Sequence, residues 1–346
     1  MRRNHKQKRK EWLDRRSRKM NTKRKGARNN RRNKSHSYHL HTGGIKRKNN
    51  QIRVSAPSNF SLFNNSRETL EFFYEVENAF EASQKGDVIF FDLSKINAIT
   101  ADAIMYLIAL LKNTYRVNAL RIQCYGNRPL NEDVHRTMID SGFYHYVQSA
   151  FKQKASDSGK FVKISHGSKV DDRIAKLLCD FVNEISRTSL LHTKRLYPMI
   201  IELMTNTQQH AYRKAQNAKM RPCWYVFAQE LDDFIQFVFL DTGIGIPKTI
   251  NKRMRERIKE YVLKSLTDAD YIASAFNGEI PRSETKEIYR GKGLPGIYRD
   301  VCNHAFSNFS VISGRGVCVV ANDGIIDSQS LEIEFRGTLF LWTVEK

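Results

Sequence analysis

Positive charge is concentrated at one end of this chain, and this limits which residues can form a folded core. Residues 1–50 contain 20 Lys and Arg but only two acids, Glu11 and Asp14, which gives a net charge of +18. The segment has almost no aliphatic side chains, so it cannot bury enough apolar surface to offset the entropy lost on ordering. The other 296 residues carry a net charge of only +4. We therefore predict a disordered basic arm over 1–50 and a nearly neutral folded body.

The charge of the arm favours binding to the phosphates of DNA or RNA. Trp12 and Tyr38 are its only aromatic residues, so neither base stacking along the arm nor sequence-specific readout is supported. A solubilising tail and a nuclear-import signal are alternative interpretations. Nucleic acid is thus a candidate partner through residues 1–50.

The composition of the body is typical of a cytoplasmic protein. Its five cysteines are scattered and lack the paired spacing of a zinc site, and an odd number does not suit a disulfide framework. The longest apolar runs, such as Phe234–Leu240, are strand-sized, whereas a membrane span needs roughly 20 residues. The N-terminal segment lacks the apolar stretch of a secretory signal. We expect a cytoplasmic protein with no membrane partner.

A body of this length has room for two α/β domains. Over 52–148, apolar runs alternate with amphipathic segments, which is typical of a parallel sheet with crossover helices. Helices are predicted over Glu68–Ser83, Thr100–Asn113 and Leu130–Ile139, and strands over Val88–Leu93 and Leu120–Tyr125. Residues 149–170 are polar and suit a linker or an exposed hairpin. Residues 171–346 form the second predicted domain.

Three segments of the first domain are DLSKINAIT (Asp92–Thr100), GNRPL (Gly126–Leu130) and SGFYHYV (Ser141–Val147). They resemble the STAS family, which includes anti-sigma-factor antagonists, and imply a STAS-like α/β domain. Phosphorylatable antagonists carry an Asp-Ser pair where Thr100-Ala101 stands in this chain. The serine of a phospho-switch is therefore missing, unless Thr100 or a shifted register replaces it. A packing module without chemistry is the alternative.

A row of polar side chains follows one face of a helix predicted over Leu196–Tyr212. Glu202, Asn206 and His210 are spaced i, i+4 and i+8, and they lie beside an apolar stripe that would face the core. A carboxylate, an amide and an imidazole in one row can face a polar ligand. Such a row is also typical of a solvated helix face.

The sequence DTGIGIP (Asp241–Pro247) follows directly on a predicted strand, Phe234–Leu240, which we expect to pair antiparallel with Trp224–Gln229. Glycines at 243 and 245 let the backbone turn tightly and approach a flat ligand closely. The carboxylate of Asp241 could accept a hydrogen bond from an exocyclic amine. An ordinary glycine-rich turn is the alternative.

The sequence GKGLPG (Gly291–Gly296) opens another predicted helix. The unpaired N–H groups and the dipole at such a helix end can hold phosphates, and Lys292 adds a compact positive charge. A glycine pattern of this kind is common, so on its own it is weak support for a nucleotide site.

Taken in order, these segments resemble the GHKL superfamily of ATPases, which includes gyrase, histidine kinases, anti-sigma kinases and MutL. ELMTNTQQHA resembles the N box, DTGIGIP the G1 box, GKGLPG the G2 box, and GTLFLW (Gly337–Trp342) the final Gly-Thr strand. The resemblance implies a GHKL (Bergerat) fold, an α/β sandwich of a mixed sheet covered by helices. It also implies ATP and Mg²⁺ as cofactors.

The resemblance further implies a role for each matched residue. Asp241 would bind the adenine amine, and Thr338 would support the adenine pocket. Asn206 would ligate Mg²⁺, and Glu202 would act as a general base or position a water. The remaining matched positions are Gly243 and Gly245 in the turn, His210 in the N box, and Gly291, Lys292, Gly293, Leu294 and Gly296 around the phosphates.

Between the two glycine boxes, residues 248–290 would form the ATP lid. Arg253–Ser265 is a predicted charged helix, and Ala273–Gly278 is predicted to belong to a mobile loop that includes residues 282–285. Arg282 and Arg290 are candidates for contact with the γ-phosphate. Solvated lid charges are the alternative.

The family resemblance leaves three function classes. An autophosphorylating histidine kinase is rejected, because His192 lies in SLLHTKR and not in a phosphoacceptor context. We favour an ATP-dependent regulatory switch with a protein partner. The alternatives are a nucleic-acid-associated ATPase of the MutL or Morc kind, with an ATP-linked dimer, and a protein Ser/Thr kinase. The sequence leaves open whether ATP is hydrolysed, transferred or only bound.

Overall fold

The protein is a mixed α/β structure whose described residues all belong to one compact unit, 46–346. A computed structural model describes residues 47–48, 51–147, 161–186, 189–210, 220–250, 266–278, 293–324 and 326–346. Apart from Arg47 and Lys48, the predicted basic arm lies outside these residues, and so does the predicted lid helix. Within the described ranges, no helix combines the length and the apolar character that crossing a membrane would require.

The first region, residues 51–147 together with the pair 47–48, contains a mainly parallel sheet, as the alternation of strands and helices predicted. Its strands are β1 (Arg47–Lys48), β2 (Gln51–Ser55), β3 (Asn59–Phe60), β4 (Val88–Asp92), β5 (Ala98–Ile99) and β6 (Gln123–Gly126). The sheet has the order β1-β2-β4-β6, in which only the β1–β2 pair is antiparallel. Strands β3 and β5 form a separate parallel pair.

The helices of this region confirm most of the sequence prediction. They are α1 (Ser66–Ala82), α2 (Ala101–Asn113), α3 (Tyr115–Leu120) and α4 (Glu132–Asp140). Strand β6 begins later than predicted, because the chain first forms α3 and then turns at Arg121, whose φ of 51° is left-handed. The predicted strand at Leu120–Tyr125 is therefore wrong over its first three residues.

The second region, residues 161–346, contains a five-stranded sheet with the order β10-β11-β9-β8-β7. Its strands are β7 (Phe161–Gly167), β8 (Trp224–Glu230), β9 (Phe234–Asp241), β10 (Ser307–Val320) and β11 (Ile326–Glu345). Every pairing between these strands is antiparallel, so the predicted mixed sheet is wrong for the described strands. Strand β7 lies within the stretch that the sequence assigned to a linker or exposed hairpin.

Helices cover one face of this sheet and enclose a large apolar core. They are α5 (Asp172–Ile185), α6 (Ser189–His210), α7 (Ile246–Thr249), α8 (Asp268–Phe276) and α9 (Gly293–Cys302). Helix α8 contains Ala273–Phe276, where the sequence predicted a mobile loop. The helix begins with a capping box at Thr267, and its Asp268 accepts a hydrogen bond from the Arg315 N–H at 2.8 Å.

The opposite face of the five-stranded sheet packs against the first region through α2. Twelve of the thirteen residues of α2 are buried, so this helix is covered on all sides rather than on one face. Its Tyr106 contacts Phe73 of α1 and Phe335 of β11, with ring centroids 4.7 and 4.6 Å apart. A single core thus joins both regions, and the Glu77–Arg336 ion pair bridges them at 3.0 Å.

Asp92 connects two of the motifs of the first region at the end of β4. Its Oδ1 accepts hydrogen bonds from Asn127 Nδ2 at 2.8 Å and Ser94 Oγ at 2.7 Å, and Arg53 donates to Oδ2 at 2.6 Å. Burial alone would raise the pKa of Asp92, but these hydrogen bonds outweigh it and lower the pKa below its usual range.

The lowered pKa predicts a loss of stability in acid. Asp92 remains ionised in the folded state where the unfolded chain, with a pKa of about 3.9, takes up a proton. Its contribution is therefore complete above about pH 5 and falls as the pH drops through the unfolded pKa towards the folded pKa. Denaturant titrations at pH 7, 4 and 3 should show a smaller acid loss for Asp92→Asn than for wild type. Asp232→Asn, in an exposed turn, is the control; equal acid losses in all three proteins would contradict the prediction.

Candidate functional site

Helix α6 presents two of the predicted site residues side by side. Glu202 and Asn206 are half-buried, and Asn206 Nδ2 donates a hydrogen bond to Glu202 Oε1 at 3.1 Å. The apolar stripe beside them is buried as predicted, including Leu196, Met199, Ile200, Leu203 and Met204. His210 is the last described residue of the helix, and its side chain lies outside the description. The structure therefore places Glu202 and Asn206 side by side on one helix, as their spacing predicted.

Asp241 lies at the end of β9 and is flanked on both sides by neighbouring strands. It is in register with Thr338 on β11 and Trp224 on β8. Because antiparallel partners point to the same face of a sheet, Asp241 and Thr338 face the same helix-covered side. The Gly243 N–H donates to Asp241 Oδ1 at 2.7 Å, which fixes the carboxylate against the turn.

The turn after Asp241 requires a glycine at position 245. Its φ is 84°, and a Cβ there would meet Ser313 Oγ at 2.9 Å and Gly337 O at 3.0 Å. A side chain would therefore be strained by its backbone conformation and by its neighbours. The sequence predicted the tight turn, and the structure shows which groups impose it.

Ser313 on β10 holds this turn in place, and sequence reasoning missed it. Its hydroxyl is fully buried, accepts from the Ile246 N–H at 2.9 Å and donates to Gly337 O at 2.8 Å. It also lies 3.0 Å from Thr338 Oγ1. Ser313 thus links the turn to the strand that carries Thr338. No motif marks this serine, because its partners are 67, 24 and 25 residues away.

The first described residue of the predicted phosphate segment, Gly293, lies directly against Glu202. A Cβ at position 293 would overlap the Glu202 side chain, so a larger residue there would require Glu202 to move. Gly296 differs, since a Cβ there would meet nothing within 4 Å. Gly291 and Lys292 lie outside the described residues.

One concave space brings these segments together. It is a cleft, open to solvent, between α6, the turn after β9, α9 and β11. Its lining residues are Leu203, Asn206, Phe239, Asp241, Ile244, Gly245, Ile246, Thr249, Leu294, Thr338 and Phe340. Five predicted site residues therefore line one cleft, and Glu202 and Gly293 lie next to residues that line it.

The lining suits a flat ligand with a polar edge. Apolar side chains such as Leu203, Phe239 and Phe340 supply surface for a ring, whereas Asp241, Asn206 and Thr338 supply oriented polar atoms. Binding sites for small molecules usually combine a mostly apolar surface with a few placed polar groups. The side chains that line the cleft are therefore of the types that small-molecule sites combine.

His192 does not line this cleft. It is 6% exposed, and its Nδ1 lies 2.9 Å from the carbonyl oxygen of Ala305, to which it donates. This buried position agrees with the rejection of His192 as a phosphoacceptor.

Comparison of the chain with protein-family models gives no match, and a search of curated proteins gives none either. What the site can bind must therefore be derived from its own geometry.

Proposed function

We propose that the cleft binds ATP and that the protein is a nucleotide-dependent regulatory switch resembling the GHKL superfamily. The observation that carries the proposal is the convergence on one cleft of residues from four distant segments. Asn206, Asp241, Leu294 and Thr338 are up to 132 residues apart in the chain, yet all four line the cleft. The family resemblance assigned each of these positions to one nucleotide site.

The base would bind where Asp241 is held by the turn. A carboxylate can accept several hydrogen bonds, so the bond from Gly243 leaves capacity for an exocyclic amine. Thr338 lies in register beside Asp241, and Ser313 fixes its hydroxyl. The apolar walls would pack on the faces of the ring, which favours a purine over a purely polar ligand.

The geometry of α6 fits a role for Asn206 as a cation ligand. Its Nδ2 donates to Glu202, so its Oδ1 would be the atom that ligates the ion. A Mg²⁺ ion bound with the nucleotide would neutralise charge on the phosphate oxygens and keep several of its waters. Glu202, beside Gly293, would hold or accept the proton of a water at the phosphate end of the cleft.

The shared core supports a regulatory function. Strand β11 contributes Thr338 to the cleft and Phe335 to the contact with α2 of the first region. A change in the cleft would therefore act on a strand that also packs against the STAS-like region. Through this strand, nucleotide binding in the cleft would change the affinity of that region for a protein partner.

Titration with ATP and Mg²⁺ by calorimetry, with phosphate release assayed in the same samples, tests this proposal. We expect wild type to bind ATP, Asn206→Ala to bind it at least about tenfold more weakly in Mg²⁺, and Glu202→Ala to lose phosphate release. Lys194→Ala, exposed on the same helix, is the matched control. Binding without release indicates a switch or a kinase that awaits its substrate, and absence of binding by wild type would overturn the proposal.

The basic arm gives a second expected result. We propose that residues 1–50 contact nucleic-acid phosphates, since they carry 20 of the 58 Lys and Arg residues and only two acids. Deletion of the arm should reduce retention of duplex DNA or RNA, and wild-type affinity should fall steeply between about 50 and 200 mM salt. Equal affinity of the full chain and the deletion variant would contradict this role.

A further inference from the structure

A short segment before β8 is attached to the end of α2 in the first region. Thr114 forms an isolated antiparallel bridge with Met220, and the Arg221 N–H donates to the carbonyl oxygen of Asn113 at 3.0 Å. Asn113 is only 4% exposed. The end of α2 is thus fixed to Met220 and Arg221 by backbone contacts that water cannot easily replace.

The same segment is attached on its other side to the turn of the cleft. Thr242 donates its N–H to Cys223 O at 3.0 Å, and its Oγ1 accepts from the Cys223 N–H at 2.8 Å. The Thr242 hydroxyl lies 2.9 Å from Arg221 O and 3.1 Å from Cys223 O, so its proton is shared between two carbonyls. The Thr242 residue is 7% exposed. One side chain therefore connects three backbone groups of residues 221–223 to the turn.

We infer that Thr242 is a positioning residue that couples the end of α2 to the turn that holds Asp241. The path consists of two hydrogen bonds, Asn113 O to Arg221 N and Arg221 O to the Thr242 hydroxyl. Asp241 and Gly243 are the chain neighbours of Thr242 and are themselves joined at 2.7 Å. A displacement of α2 would thus move Arg221, and Arg221 would move the turn.

The coupling has two consequences that can be separated. The mechanical link between the first region and the turn stands on the hydrogen bonds alone. Its effect on nucleotide affinity rests on the proposed function. Because coupling between two sites is reciprocal, a ligand that orders the turn would also stabilise the Asn113–Arg221 contact.

Hydrogen exchange of the full chain tests the mechanical link without nucleotide. Thr242→Val keeps the shape of the side chain and removes the hydroxyl, whereas Thr242→Ser keeps the hydroxyl. We expect Thr242→Val to exchange about five- to tenfold faster over residues 220–226 and at the end of α2, and Thr242→Ser to exchange as wild type does. Exchange over α4 is the internal control. Equal exchange in Thr242→Val and wild type over 220–226 would overturn the inference.

Addition of ATP to the same samples separates the two proposals. If wild type binds ATP, protection over 220–226 should increase, and Thr242→Val should lose most of this increase and bind ATP about tenfold more weakly. An increase of equal size in both proteins would overturn the coupling. If wild type does not bind ATP but Thr242→Val still exchanges faster over 220–226, the link stands and the proposed nucleotide function fails.

Discussion

Asp241→Asn is expected to weaken ATP binding by about 10- to 100-fold while leaving the fold intact. An amide oxygen can still accept the Gly243 N–H, which bonds to Asp241 Oδ1 at 2.7 Å, so the turn should keep its shape. The charge-assisted hydrogen bond to an exocyclic amine would be lost, and such bonds contribute about 1.5–3 kcal/mol. Calorimetric titration with ATP measures the loss, and a melting curve shows that the fold is retained.

The control for this variant lies just before the other end of the same strand. Asp232→Asn changes a carboxylate of equal charge in the exposed turn that precedes β9, at the opposite end from Asp241. It should bind ATP as wild type does. If Asp241→Asn also binds like wild type, Asp241 is not the group that reads the base, and the cleft would need another polar anchor.

Gly293→Ala is expected to be less stable than Gly296→Ala in the same helix. A Cβ at 293 would overlap the half-buried side chain of Glu202, which would have to move and would lose its hydrogen bond from Asn206, at a cost of about 1 kcal/mol. A Cβ at 296 would meet nothing within 4 Å, and replacing glycine by alanine in a helix contributes up to about 1 kcal/mol of stability. Gly293→Ala should therefore unfold at a lower temperature than Gly296→Ala.

A double variant identifies the cause of the lost stability. Glu202→Ala removes the side chain that the new Cβ at 293 would meet, so Gly293→Ala combined with Glu202→Ala should regain most of the stability that this overlap costs. No recovery would mean that the backbone of α9, and not Glu202, rejects the new side chain. Phosphate release should be absent from the double variant in either case, because Glu202 is gone.

Local periodicity predicted the elements whose residues carry their own pattern. Helices α1, α2 and α4 and the β8–β9 hairpin lie close to their predicted positions, because each has apolar side chains at the short spacings typical of its kind of element. Strand β7 could not be found in this way. Among the strands that the structure describes it pairs with β8 alone, and residues such as Ser165 and His166 give it little apolar pattern.

The candidate site was partly predictable for a related reason. Asp241, Asn206 and Gly245 stand in short motifs whose residue types reflect what a ligand site needs, so the sequence pointed to them directly. Ser313 and Thr242 support the same turn through partners 19 to 67 residues away, and a hydroxyl residue at either position is unremarkable in sequence. The sequence also did not indicate which face of α2 packs on the five-stranded sheet, because a helix buried on all sides has no polar side that would mark the opposite one.

The position of β11 also has a consequence for biosynthesis. This strand lies between β10 and β9, and its Phe335 and Leu339 complete the core around α2. A ribosome that adds about 5–20 residues per second makes Phe335 roughly 10–45 s after Leu111. During that interval the apolar surface of α2 lacks its final partner in the nascent chain. We therefore expect the newly made first region to depend on chaperones until β11 has been synthesised.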